Sequence, residues 1–161
     1  MKKIAVIITF VFATTFAFSQ KNKPVNEIRV PLKADSWEFK GTNAKFVDHK
    51  GIPSLQSAND IVIPKNVEFA NGTIEFDVEG AEGFVSIYFH RQSDDETEIF
   101  YLRGVASPPT SLDAVQYAPI IKKVNMWDMY PDYQTAANFK NDEWIHIKLV
   151  VSGMQMLVYV N

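Results

Sequence analysis

Residues 71–80 read NGTIEFDVEG, and this stretch decides the fold class. Its apolar residues, Ile74, Phe76 and Val78, are separated by single acidic residues. Side chains of a β-strand point alternately to its two faces, so this pattern predicts a strand with one buried and one solvated face. The glycine-containing pairs at either end are turn sequences. The stretch therefore predicts one strand of an antiparallel sheet.

Short apolar segments and turn signals recur along the rest of the chain. Polar residues 93–97 separate two apolar segments at the spacing of a hairpin, and Ser152-Gly153 turns the chain between two others. No segment has a convincing helical period. We therefore predict an all-β fold, a two-sheet antiparallel β-sandwich. Its strands are expected at 37–40, 44–47, 61–63, 73–78, 84–91, 98–103, 145–149 and 154–160.

The segment 106–141 departs from this pattern. It contains Pro108, Pro109, Pro119 and Pro131. Because proline lacks the N–H that a sheet ladder needs, we predict no long regular strand here. The segment is also rich in aromatic residues, and long irregular loops on a rigid β scaffold usually carry function.

Residues 1–19 have the basic start, apolar stretch and small residues before a cleavage point that characterise a secretory signal peptide. Ala17 and Ser19 stand at the positions that signal peptidase reads if cleavage precedes Gln20. The apolar stretch is shorter than the roughly 20 residues of a membrane span, and there is no cysteine for a lipid anchor. We expect a secreted or periplasmic protein with no membrane anchor after cleavage.

The remainder divides into a tether and one domain. Residues 20–35 are polar, contain two prolines and are predicted to lead into the fold, whereas residues 36–161 form the predicted sandwich. The last predicted strand runs almost to Asn161. A sandwich ending in that way would leave an exposed edge strand, so we expect the domain to be C-terminally truncated.

Composition narrows the class of partner. Cleavage of residues 1–19 removes two of the 16 basic residues and none of the 19 acidic ones, which leaves an acidic chain. Such a chain lacks the basic surface that holds phosphate backbones, so we expect no nucleic-acid partner. The absence of cysteine excludes disulfides, thiolate metal sites and cysteine nucleophiles.

Glu75, Asp77 and Glu79 are weak candidates for catalytic residues. Their E-x-D-x-E spacing resembles the catalytic strand of retaining family 16 glycoside hydrolases, in which the two glutamates are nucleophile and acid/base. That chemistry needs carboxylates about 5–5.5 Å apart, whereas residues four apart on a regular strand are about 13 Å apart. The lead-in at 69–73 resembles a structural strand of the same fold. The alternative is a half-buried strand with a solvated acidic face.

Metal ligation has little support in the sequence. Asp94, Asp95 and Glu96, with Glu98, could hold a structural calcium ion, although acidic hairpin tips are usually only solvated. The three histidines have no metal-ligand spacing, and His146 is predicted to point outward from its strand. We therefore predict no metal site and no cofactor.

A set of polar and aromatic residues is predicted to contact a ligand. Tyr101 and Arg103 share one face of a strand, and Arg103 is a charge among apolar neighbours that needs a carboxylate, carbonyls or a ligand. Gln116 offers the paired donors and acceptors that sugar hydroxyls require. The alternative is that Arg103 pairs internally, with Asp113, while the aromatic residues fill the core. The full predicted set is Arg91, Tyr101, Arg103, Gln116, Tyr117 and Trp127.

Four segments together resemble secreted bacterial domains of the concanavalin A-like lectin and glucanase class. They are 69–78, 100–103, 116–119 with Trp127, and 144–151. Laminin G-like modules and the domains called 3-keto-disaccharide hydrolases are neighbours of that class. The resemblance spans roughly residues 36–161. It implies a two-sheet jelly roll whose concave sheet and loops accept carbohydrate.

Three functions follow as expectations. The first is a secreted carbohydrate-binding module that holds a polysaccharide or oligosaccharide by aromatic stacking and polar contacts. The second is a glycoside hydrolase or sugar lyase of the same fold, which would need two facing carboxylates in a cleft. The third is a structural or adhesion module without a small ligand.

Overall fold

The computed structural model describes residues 26–79, 83–104, 111–140 and 142–161. The predicted signal peptide lies outside these residues, as do the first residues of the predicted tether. The chain divides into two compact units, and the division falls between Lys65 and Asn66. Residues 26–33, which belong to the predicted tether, contain no strand. No helix in the described ranges is long or apolar enough to cross a bilayer.

The described residues are all-β. Their only helical elements are three 3-10 turns, at Ala34–Ser36, Trp127–Met129 and Pro131–Tyr133. The twelve strands are β1 (Trp37–Lys40), β2 (Lys45–His49), β3 (Ile52–Gln56), β4 (Ile61–Pro64), β5 (Gly72–Val78), β6 (Phe84–Phe89), β7 (Glu96–Arg103), β8 (Val115–Ile121), β9 (Val124–Asn125), β10 (Gln134–Thr135), β11 (Ile145–Ser152) and β12 (Gln155–Val160).

The first unit contains two pairs of antiparallel strands. In the sequence, the strands of one pair lie between the strands of the other. β2 pairs with β3 across the Lys50-Gly51 turn, and β1 pairs with β4. Lys50 and Gly51 both have positive φ, the geometry of a two-residue hairpin turn. The Asp60 carboxylate accepts hydrogen bonds from the backbone N–H groups of Asn43 and Ala44, at 2.6 and 2.7 Å. It thereby fixes the connection between β1 and β2.

The second unit contains two antiparallel sheets. One has five strands, with β6, β7, β8 and β10 side by side and β9 paired to β8, and the other has β5, β11 and β12. Apolar residues of both sheets belong to one buried cluster, which is consistent with a β-sandwich. Its most deeply buried large side chains are Phe100, Leu102, Ile145, Ile147 and Leu149.

Strand alternation separates two faces of the five-stranded sheet. Phe100 and Leu102 of β7 point into the shared core, so Tyr101 and Arg103 point to the opposite face. We call that opposite face the outer face. Residues directly across a ladder share a face, so Phe84, opposite Arg103, and Gln116, opposite Tyr101, also lie on it.

The expected hairpins are present, with adjusted bounds. β6 pairs with β7 and β11 pairs with β12, as the turn sequences predict. β6 ends at Phe89 rather than Arg91, because His90 has a φ of 47° and leaves the extended conformation. β7 begins at Glu96, within the segment predicted to be loop.

The prediction that prolines exclude a long strand from 106–141 is wrong. β8 has seven residues and contains Pro119, which is paired with Glu98 of β7. The carbonyl of Pro119 accepts a hydrogen bond from Met126 N–H, on the side of β8 away from β7. In an antiparallel strand the N and C=O of one residue point to the same side. The missing N–H therefore removes no bond from the β7–β8 ladder.

Candidate functional site

The outer face carries a polar network centred on Gln116. Its side-chain oxygen accepts hydrogen bonds from the Tyr101 hydroxyl and from Arg103 Nη2, both at 2.7 Å. Its amide nitrogen donates to the backbone oxygen of Trp127 at 2.9 Å. One glutamine thus ties β7, β8 and the 3-10 turn at Trp127 together, and this fixes the direction of the arginine side chain.

Three aromatic rings surround the Arg103 guanidinium. Its central carbon lies 5.5 Å from the ring centres of Phe84 and Tyr101 and 5.6 Å from that of Trp127. These separations are in the range of cation–π contact. We call Phe84, Tyr101, Arg103, Gln116 and Trp127, together with Asp113, the Arg103 site.

Asp113 supplies a countercharge. One of its carboxylate oxygens lies 3.7 Å from Arg103 Nε, so the internal pairing weighed from the sequence is present. That distance is too long for a hydrogen bond, and Nε is buried without a hydrogen-bond partner in the described residues. A buried donor without a partner is costly. The guanidinium therefore keeps an unused donor beside its carboxylate.

Exposure separates the residues that a ligand could touch from those that position them. Gln116 and Tyr101 are almost fully buried, at 1% and 3% exposure, whereas Trp127 and Phe84 are 50% and 56% exposed. The Arg103 side chain is 17% exposed. Arg103, Trp127 and Phe84 are thus the residues available for contact, and Gln116 and Tyr101 hold them in place.

The electrostatics of the site favour a neutral Tyr101. Burial raises the pKa of the Tyr101 phenol, and the nearby positive charge of Arg103 only partly opposes this effect. The phenol is therefore a hydrogen-bond donor at neutral pH, as its bond to Gln116 requires.

Two residues of the predicted ligand set lie elsewhere. Tyr117 alternates to the core side of β8 and packs against Phe89 and Tyr133. Burial, with the neighbouring Glu98 carboxylate, raises the pKa of Tyr117 to about 12. Arg91 follows β6 on the exposed hairpin tip and bonds to Asp94. The structure brings together four of the six predicted residues, Tyr101, Arg103, Gln116 and Trp127.

The weak catalytic candidates lie on the other sheet. Glu75 and Asp77 are on the solvated face of β5, with His146 of β11 between them. His146 Nδ1 is 2.7 Å from Asp77 Oδ1, and Nε2 is 3.0 Å from Glu75 Oε1. Glu79 follows the end of the strand. His146 is 48% exposed, so its predicted outward direction is confirmed.

A shallow groove of about 440 Å³ lies at the opposite end of β7 from Arg103. Its polar lining includes His90, Gln92 and Glu98. His90 Nδ1 is 3.1 Å from the Glu98 carboxylate, and Nε2 is 2.6 Å from the carbonyl of Ala70. Burial lowers the pKa of His90, but these two acceptors outweigh it and the net shift is upward. The groove's only described basic side chain is therefore already bonded at both nitrogens.

The acidic hairpin tip shows no assembled metal site. Asp94 bonds to Arg91, Asp95 lies 3.4 Å from Lys123, and Glu98 faces His90. No group of three histidine or carboxylate residues in the described part of the chain could hold a metal ion.

Phe84 is the residue of the site that sequence reasoning missed. It opens β6 and lies directly across the ladder from Arg103. The hairpin was predicted from the sequence with its loop at 93–97, but the observed ladder pairs Phe89 with Glu98, and only this register sets Phe84 against Arg103. Comparisons with protein-family models, with curated proteins and with solved structures gave no match to this chain.

Proposed function

We propose that this protein is a secreted carbohydrate-binding module that holds extracellular polysaccharide or oligosaccharide at the Arg103 site. The observation that carries the proposal is the oriented guanidinium among three aromatic rings, with the Trp127 ring half exposed. A sugar ring presents apolar C–H faces and hydroxyl edges. An exposed indole and an adjacent oriented donor match those two surfaces.

Pre-organisation supports binding at this site. Arg103 is held by Gln116 and flanked by rings before any ligand arrives. A side chain that is already ordered loses little conformational entropy on binding, so more of its interaction appears as affinity.

We also propose the finer fold expected from the resemblance, a concanavalin A-like jelly roll in the second unit. The two antiparallel sheets around one core support it. Export is part of the proposal, because polysaccharides are abundant outside the cytoplasm.

Binding is favoured over hydrolysis by the position of the acidic residues. His146 lies between the Glu75 and Asp77 carboxylates, in the space that a scissile bond would need. Chromatographic analysis of glycan products after incubation with the protein tests the hydrolase alternative directly.

Arg103→Ala is the variant that tests the site. We expect it to weaken glycan binding by at least about tenfold, because a buried, oriented arginine is a typical hot-spot residue. A glycan array identifies a ligand, and isothermal titration of wild type and variant then measures the ratio.

Arg91→Ala is the matched control, since Arg91 is an exposed arginine on the hairpin tip. It should bind as wild type does. If Arg103→Ala unfolds in a thermal melt, Trp127→Ala replaces it, with the exposed aromatic Tyr159 on the other sheet as control. Unchanged affinity in the folded Arg103 and Trp127 variants would refute the assignment.

A further inference from the structure

We infer that the Arg103 site selects neutral sugars, and that Asp113 is the residue that excludes acidic ones. The inference rests on the proposed function. An arginine in a sugar site is commonly read as a partner for a carboxylate or sulfate. Here the surroundings of Arg103 give the opposite specificity.

The positive charge of Arg103 is already balanced. Asp113 lies 3.7 Å from its Nε. The pair is partly buried, with side-chain exposures of 17% for Arg103 and 36% for Asp113, so water screens it less than a surface pair. Asp113 is fixed in turn by the Ser111 hydroxyl, which donates to it. A neutral ion pair attracts an approaching anion only weakly.

Among the described strand residues of the outer face, none supplies a second cation. The strand residues there, read from the ladder registers, include Phe84, Tyr101, Gln116 and Asn125, and Arg103 is the one charged residue among the described ones. Residues 105–110, which lie outside the described part, read VASPPT and contain no charged side chain. The next charge along the chain from Trp127 is the exposed carboxylate of Asp128.

An acidic sugar at this site would therefore bring its carboxylate close to Asp113 without gaining a free cation. Like charges a few ångströms apart repel, and such contacts are a usual means of rejecting a wrong partner. A hydroxyl of a neutral sugar meets no such penalty. It can lie against the partly exposed Arg103 side chain while its ring rests on Trp127.

Matched glycan pairs test the inference. Each pair is a neutral glycan and the same glycan oxidised to uronate at C6, and the neutral members are cello-oligosaccharide, amylose and β-1,3-glucan. We expect the wild-type chain to bind the neutral member of a recognised pair at least about tenfold more tightly than its uronate.

Asp113→Asn should narrow that ratio by at least about fivefold, through tighter binding of the uronate. Asp95→Asn is the control, because it makes the same charge change on the exposed hairpin tip, at the other end of β7 from Arg103, and should leave the ratio unchanged. If Asp113→Asn fails to fold, the salt dependence of the wild type decides. Neutral-glycan affinity should change by less than about twofold between roughly 50 and 500 mM NaCl.

The outcomes separate the two proposals. Tighter wild-type binding of the uronate overturns this inference and leaves the carbohydrate-binding function standing. A folded Asp113→Asn variant with an unchanged ratio also overturns it, as does a strong loss of wild-type affinity with salt. Absence of binding to every member of every pair overturns the proposed function and this inference together.

Discussion

His146 shows how one residue can couple the second unit to pH. Each of its ring nitrogens faces a carboxylate oxygen, Asp77 at one side and Glu75 at the other. An ionised carboxylate accepts hydrogen bonds and cannot donate them. Of the forms of the histidine ring, only the doubly protonated imidazolium donates from both nitrogens. The hydrogen bond to Asp77, and then that to Glu75, outweigh desolvation and raise the pKa of His146.

The raised pKa of His146 sets the sign of a stability effect. The imidazolium form is favoured in the folded state, so its contribution is fully present below the unfolded pKa of about 6.5. It is lost as the pH rises through the higher folded pKa. We therefore expect His146→Gln to lower the thermal midpoint at about pH 5.5 and to leave it nearly unchanged at about pH 9.

NMR titration of the His146 ring protons measures the cause. Asp77→Asn should move the His146 pKa downward, because it removes the carboxylate whose hydrogen bond raises that pKa most. Asp132→Asn, an exposed carboxylate in the 3-10 turn at Pro131–Tyr133, is the control and should leave the titration unchanged. A His146 variant that lowers the midpoint more at high pH than at low pH would contradict the account.

At the level of single residues, the sequence predicted the sheet face on which a residue lies better than it predicted the residues that it contacts. Alternation placed Tyr101 and Arg103 on one face correctly, because a strand has a strict period of two. The same rule places Tyr117 on the opposite face from Gln116, yet both were assigned to one ligand set. Contacts made by loops, such as that of Trp127 with Gln116, depend on three-dimensional closure and have no local pattern.

The β8–β9 turn is an element with built-in backbone strain. Lys122 and Lys123, its two central residues, have φ values of 52° and 68°. Two-residue hairpins use this geometry because it matches the strand twist, but asparagine and glycine adopt it at a lower cost than lysine. Lys123 also lies 3.4 Å from Asp95, as an exposed ion pair that contributes little to stability.

Lys122→Asn combined with Lys123→Gly should therefore raise the free energy of unfolding by about 1 kcal/mol. Urea denaturation measures this increase in the free energy of unfolding, and we expect the dependence of that free energy on urea concentration to be unchanged. Lys45→Asn is a matched control, because Lys45 lies in β2 and asparagine has no advantage in a strand. A less stable double variant would show that the Lys123–Asp95 pair outweighs the relief of strain.

Elements with strong alternation and clear turns were predictable, and those shaped by pairing partners were not. β5 and the β11–β12 hairpin have patterns that need no tertiary information. β8 contains a proline that is tolerated because its N and C=O face away from β7, so the missing N–H removes no bond from the β7–β8 ladder. β3 begins with an exposed isoleucine followed by a proline, so its sequence lacks a buried face.

At the level of the whole molecule, an all-β fold followed from the recurrent alternation, since no segment has a helical period. The arrangement of the sheets did not follow. Alternation gives each strand an apolar face but carries no information on which apolar faces share a core. The division of the chain between Lys65 and Asn66 is set by such contacts and has no compositional marker.

We propose export as the whole-molecule property that decides where the Arg103 site would meet its ligand. We expect the chain, expressed with residues 1–19 in a Gram-negative host, to be recovered outside the cytoplasm with Gln20 as its first residue. Intact-mass measurement of the periplasmic and medium fractions locates the cut.

Ala17→Arg tests the mechanism of that cut, because signal peptidase requires a small residue at this position. The variant should accumulate uncleaved, whereas Ala17→Ser keeps a small side chain and should be processed as wild type is. A wild-type chain that stays in the cytoplasm and retains Met1 would remove export from the proposal. The site would then face cytoplasmic sugars instead of polysaccharides, and the glycan pairs would have to be replaced by soluble saccharides.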